Sequence, residues 1–195
     1  MYSVLEVAMA LRDVNQATVD LVKQYEGIPD GNPATDNIDP YLDPVGIWTI
    51  GWGHAITYQG RFLKGAADKA QVQSLYPGGI TLAQAEALLH TDLMNAGRDV
   101  SSVVLVPLND NEFGALTSFT FNLGIGNLRS STLLKMLNAN NRAGAADQFG
   151  RWVMADGKPL PGLVKRRAAE RDLFLTPVAS SADPLVPPAS PAQAA

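Results

Sequence analysis

The stretch that most constrains this chain is Tyr41-Leu-Asp-Pro-Val-Gly-Ile-Trp-Thr-Ile-Gly-Trp-Gly-His54. Asp43-Pro44-Val45-Gly46 is turn chemistry, because proline presets one backbone angle and glycine accepts positive φ. Ile47, Trp48, Thr49 and Ile50 then favour an extended strand. The pattern predicts a β-hairpin with Asp43 at the end of its first strand and Thr49 on its second. Such a hairpin holds a carboxylate and a hydroxyl on one wall of a cleft.

Helical signals surround it. Asn15 is a predicted N-cap for a helix over Gln16 to Glu26, with Val19, Val22 and Tyr25 inward and Gly27 as its stop. Before it, Ser3 to Val14 has the spacing of a short amphipathic helix able to pack back on the body. Residues 28–40, rich in proline and aspartate, read as a surface loop. Ala55 to Phe62 is the expected third strand, and Lys64 to Leu75 a short helix ended by Pro77-Gly78-Gly79.

Thr81 and Gln84 form a predicted capping box that opens a long helix from Leu82 to about Val100. Its length suits a link between a small sheet lobe and a helical lobe. Asn109 caps a helix from Asp110 to Leu123, with Phe113, Leu116, Phe119 and Thr120 on one stripe and Gly124 after it. Ser130 or Ser131 caps Thr132 to Asn138, and further helices are expected over 143–152 and 163–175. After Thr176, prolines, alanines and serines predict a disordered tail over 177–195. Three parts are therefore expected: an N-terminal extension (1–15), a folded domain (16–176) and the tail. Within the domain, residues 27–80 form the sheet lobe, and residues 81–176 with helix 16–26 form the helical lobe.

Bulk properties exclude several classes. At 195 residues, with 46% hydrophobic and 17% charged residues, the chain suits a globular protein. Without cysteine it has no disulfides, thiol nucleophile or thiolate metal site. His54 and His90 are too few for zinc, and Asp30, Asp36 and Asp39 lack calcium-loop spacing, so neither metal nor cofactor is expected. A net charge of −4 argues against nucleic acid. No apolar run is long enough to span a membrane, and no export signal is read, so no stable membrane insertion is expected. Lys165-Arg166-Arg167 reads as a solvated helix face with Arg166 and Glu170 paired, in preference to a basic rim for an anionic polymer.

Glu26, Asp43 and Thr49 are the candidate catalytic groups. Glycosidic cleavage needs one carboxyl to protonate the leaving oxygen and a second group to activate water. A carboxylate at a helix C-terminus faces the negative end of the helix dipole, which favours the protonated form such an acid needs. Chance would also produce such a pair in a chain with 19 acidic residues.

The whole block, from Glu26-Gly27 to Tyr41-x-Asp43-x-x-Gly46-x-x-Thr49-Ile50-Gly51-x-Gly53-His54, resembles the signature of phage-type lysozymes (endolysins, muramidases of the glycoside hydrolases). Ile80 to Leu89, Ala115 to Gly124, Ser131 to Leu134 and Gly162 to Glu170 are similar to later family segments in the same order. The resemblance spans roughly residues 17–175. It implies an α+β lysozyme-like fold, with a small three-stranded antiparallel sheet lobe joined by a long helix to a helical lobe. It also implies hydrolysis, by inversion, of the β-1,4 bond between N-acetylmuramic acid and N-acetylglucosamine. Glu26 would be the general acid, and Asp43 with Thr49 would position water. His54 would support the site by pairing with Asp92. Asn122 would either bind an acetamido group or satisfy buried backbone, while Ser131 and Thr132 would be first a helix cap and second a sugar contact. Trp48, Trp52, Phe119, Phe121 and Trp152 read as core.

Two other readings stand beside this one. A lytic transglycosylase uses one glutamate and no water, which the presence of both Asp43 and Thr49 disfavours. A glycan-binding module without catalysis is the other. The resemblance further implies a monomer acting in host lysis, held in the bacterial cytoplasm until a separate holin-type pore gives access to the periplasmic wall.

Overall fold

The computed structural model describes residues 12–32, 35–155 and 157–178. Helix α1 (Gln16–Glu26) starts where the Asn15 side chain accepts from the Thr18 amide at 3.1 Å, and it ends at Gly27, whose φ is 65°. Leu21, Val22 and Thr18 are buried, whereas Val19 and Tyr25 are partly buried. Residues 12–15 carry no helix, although Val14 does pack back on the body. The rest of the expected N-terminal helix, and the tail beyond Val178, lie outside the described residues.

Strands β1 (Tyr41–Leu42), β2 (Trp48–Ile50) and β3 (His54–Ala55) form a three-stranded antiparallel sheet, with Tyr41 opposite Thr49 and Ile50 opposite His54. The third strand is thus His54–Ala55 rather than a run from Ala55 to Phe62. Beyond it, Ile56 and Leu63 turn fully into the core, each tied to Trp48 by a backbone hydrogen bond. The intervening residues fold as a separate hairpin of β4 (Thr57–Tyr58) and β5 (Arg61–Phe62), closed by Gln59 and Gly60 at φ 49° and 77°. Positive φ at both turn positions matches the twist of a two-residue hairpin, which breaks what reads as one strand. A short 3₁₀ turn (Ala66–Asp68) leads into α2 (Lys69–Leu75).

Helix α3 (Leu82–Ser101) opens on the Thr81–Gln84 capping box and joins the two lobes. Its Ala85, Leu89 and Leu93 belong to an apolar cluster with Val22, Ile50, Leu63 and Val72, while Val100 belongs to a second cluster around Phe113 and Phe119. One helix therefore enters two cores.

Helix α4 (Asp110–Leu123) departs from the expected single stripe: every residue from Asn111 to Thr120 is buried. It packs on α1 and α3, and also on α5 (Ile125–Ser130) and α8 (Pro161–Leu175). A helix enclosed on all sides shows no polar face to read. Gly114 permits the α1 crossing, since a Cβ there would lie 1.8 Å from Thr18 Oγ1.

Helix α6 (Thr132–Asn138) is capped by Ser131, and the helix expected over 143–152 is split into α7 (Arg142–Asp147) and a 3₁₀ turn (Phe149–Arg151). A small hairpin of β6 (Met154–Ala155) and β7 (Lys158–Pro159) precedes α8. Pro161 occupies the first turn of α8, where its missing amide costs nothing.

Candidate active site

The hairpin wall is built by local backbone bonds. Asp43 Oδ1 accepts from the amides of Val45 at 3.0 Å and Ile47 at 2.7 Å, so the carboxylate closes its own turn. Oδ2 has no hydrogen-bond partner among the described residues. Thr49 is buried, and its hydroxyl donates to the Ile47 carbonyl at 3.2 Å. Tyr41, paired with Thr49 in the sheet, links this wall to the acid. Burial first, and then the negative charges of Glu26 and Asp43, push the Tyr41 hydroxyl above the ordinary tyrosine range.

The opposite wall is built by helices. Glu26 ends α1, and its Oε1 accepts from Arg166 Nη1 on α8. Its Oε2 faces Gly53, where a Cβ would lie 3.3 Å away and where φ is 82°. Glycine thus serves both the backbone turn and the room beside the acid.

Arg166, Arg167 and Glu170 correct the sequence expectation of a solvated face: all three are buried. Arg166 Nε reaches Glu170 Oε1 at 3.3 Å, so the expected pairing four residues apart does form, but inside the protein. Arg167 Nη2 donates to the same Glu170 oxygen at 2.9 Å and to Asn122 Oδ1 at 2.9 Å. Ser118 Oγ adds a 2.8 Å bond to that oxygen. Burial draws the Arg167 guanidinium down to about 10 and pushes the Glu170 carboxyl up, the latter opposed by both arginines. These residues sit on the stripe that Leu163 and Phe174 mark along α8. Charged side chains at stripe positions were the signal available in the sequence.

Glu26 opens on a cavity of about 460 Å³ that is also lined by Gly53, His54, Asp92, Phe121 and Asn122, among others. His54 Nδ1 and Asp92 Oδ2 lie within hydrogen-bond distance at 2.8 Å on the cleft wall, both about a quarter exposed. Asn122 Oδ1 accepts from Arg167, so neither of the roles expected for it describes its contact fully. Asp43 and Thr49, on the hairpin, do not line this cavity. Ser131 and Thr132 line a separate pocket of about 230 Å³ with Arg151 and Trp152. The Ser131 hydroxyl is used within the fold, accepting from the Leu134 amide and donating to the Leu128 carbonyl.

Of the aromatic residues expected in the core, Trp52 and Phe119 are buried, while Trp48 and Phe121 are partly so. Phe121 also faces the cleft. Among the described residues no cluster of His, Cys, Asp or Glu could hold a metal, and no helix is long and apolar enough to cross a membrane.

The phage lysozyme family model matches residues 34–170. An endolysin of Salmonella phage P22 is 39% identical over 141 residues, covering 72% of this chain and 88% of the relative. A SAR-endolysin of bacteriophage PS119 is 36% identical over 150 residues, covering 75% and 80% respectively. Among solved structures, the muramidase domain of SpmX from Asticaccaulis excentricus aligns with a TM-score of 0.66 at 32% identity, over 85% of this chain and 99% of that one. A mutant of P22 lysozyme aligns with a TM-score of 0.65 at 32% identity, with the same coverage. The chain belongs to the phage lysozyme family. It is a lysozyme, an endolysin-type enzyme whose substrate is peptidoglycan.

Proposed function

We propose that the enzyme hydrolyses the β-1,4 bond between N-acetylmuramic acid and N-acetylglucosamine, with Glu26 as general acid and Asp43 with Thr49 holding the attacking water. The observation that carries this reading is the state of the Glu26 carboxyl: Arg166 occupies Oε1, and Oε2 faces Gly53 and the cleft. The oxygen left open is the one available to carry a proton to a leaving oxygen. On the other wall, Asp43 spends Oδ1 on its turn and keeps Oδ2 open. Tyr41 feels the charge of both carboxylates, which supports their facing one space.

Inversion fits this division of labour, because the second carboxylate activates water without forming a bond to sugar. His54 and Asp92 brace the cleft wall, and Asn122, steadied by Arg167, offers its amide to an acetamido group. Ser131 and Thr132 belong to the α6 cap first and contact a more distant sugar second. In this reading the catalytic domain works as a monomer in host lysis, and a separate pore gives it access to the wall.

Digestion of peptidoglycan in H₂¹⁸O tests the proposal. The expected products carry hydrated, ¹⁸O-labelled reducing ends, with the first-formed anomer inverted by NMR, and Asp43→Asn and Thr49→Ala each reduce their yield. Anhydro ends would instead mark a transglycosylase.

A further inference from the structure

Five side chains run in one continuous line from the acid on α1 to Asn122 on α4. Glu26 accepts from Arg166, Arg166 reaches Glu170, Glu170 accepts from Arg167, and Arg167 donates to Asn122. Among the described residues, each hydrogen bond at Glu170 falls on the same oxygen, Oε1, including the one from Ser118 on α4. Glu170 is fully buried and does not line the cleft. The Arg167 guanidinium lies over the Phe119 ring, 5.1 Å from its centroid.

With Glu170 gone, Glu26 alone would face both arginines.

We propose that Glu170 is a positioning residue for the cleft: its Oε1 holds Arg166 and Arg167 in register, so that the proposed acid and the proposed acetamido contact are set as a unit. The proposal rests on the assignment of Glu26 and Asn122 above. Charges facing Glu26 come from Arg166 and Arg167 on α8 and from Asp43 beside Tyr41 on the hairpin, with the His54–Asp92 pair across the cleft. Neutralising Glu170 removes negative charge from this set. The remaining guanidinium charge then favours the ionised form of the acid, so activity is lost at a lower pH. Arg167 also loses its anchor, and Asn122 with it.

The test is Glu170→Gln in the full chain, with kcat and KM for soluble peptidoglycan fragments measured across pH and folding checked by thermal unfolding. The expected result is a basic limb of the kcat/KM profile displaced downward by about one pH unit, which is about a tenfold loss on that limb, together with a raised KM. A merely structural role would lower thermal stability and leave the limb in place, and that outcome overturns the proposal. Should Glu170→Gln not fold, Glu170→Asp carries the test, since it keeps the charge and draws the oxygen back. It is expected to raise KM severalfold with the limb unmoved, and an unchanged KM overturns the proposal. Glu26→Gln separates the two readings: if it still hydrolyses at the parent rate, the acid assignment fails, while the effect of Glu170 on KM remains readable.

Discussion

The two walls of the cleft are made in different ways. The hairpin wall fixes the Asp43 and Thr49 side chains through short-range bonds within residues 43–49. The helical wall places Glu26 and Asn122 through Arg166, Arg167 and Glu170, which lie far along the chain and deep in the core. Local turn chemistry leaves a trace in sequence, because proline and glycine act where they stand. A buried ion network leaves only charged letters that look like surface. The difference also predicts how each wall fails: one by backbone strain, the other by unpaired charge.

Removing one member of the buried network is expected to have the largest effect on stability. Arg167→Met leaves Glu170 with a single guanidinium inside the core, and breaking a buried pair in this way costs about 3–5 kcal/mol. Denaturant unfolding measures it. The double variant Arg167→Met/Glu170→Met should recover part of that loss, since replacing both charges removes the unpaired one. A double variant no more stable than the single one would show that packing, rather than charge, governs this wall.

On the hairpin wall the sharpest probe is Gly53→Ala. A residue with a Cβ at φ 82° is strained by about 1–3 kcal/mol, and the new methyl would stand 3.3 Å from Glu26 Oε2. Activity should fall more than stability, read as a drop in kcat in a folded protein. Equal kcat would mean that the space beside Oε2 is unimportant.

The smallest expected effect is at Asp68, which tethers the β4–β5 hairpin through Arg61 and accepts from the Lys64 amide. The Arg61 hydrogen bonds first, then the Lys64 amide, lower its carboxyl from 3.8 to about 2. A depressed folded value means the stabilisation is present above 3.8 and is lost as pH falls through about 2. Asp68→Asn should therefore cost a little stability at neutral pH, and its thermal unfolding should converge with the parent's toward pH 2. A difference that persists there would assign the effect to packing.

What was legible follows the same division. Asn15, Thr81 with Gln84, and Asn109 marked three helix starts, and each is seen to cap. The hairpin and the His54–Asp92 contact also agree with expectation, although the third strand was drawn too long because Gln59-Gly60 is a weaker turn signal than Asp43-Pro44-Val45-Gly46. The burial of α4 was hidden because its polar residues, Thr117, Ser118 and Thr120, turn inward in a helix packed on every side. The burial of Arg166 and Arg167 is hard to read because their residue type suggests solvent, and only their place on the stripe with Phe174 argues otherwise.

The role proposed for Glu26 is proton donor, held by Arg166 at one oxygen and open to the cleft at the other. Its most direct test is the hydrolysis rate of Glu26→Gln, with folding verified by the same unfolding transition as the parent. The expected result is a folded protein whose kcat is lower by about 10²–10⁴-fold. A folded Glu26→Gln protein that cuts peptidoglycan at the parent rate would contradict it.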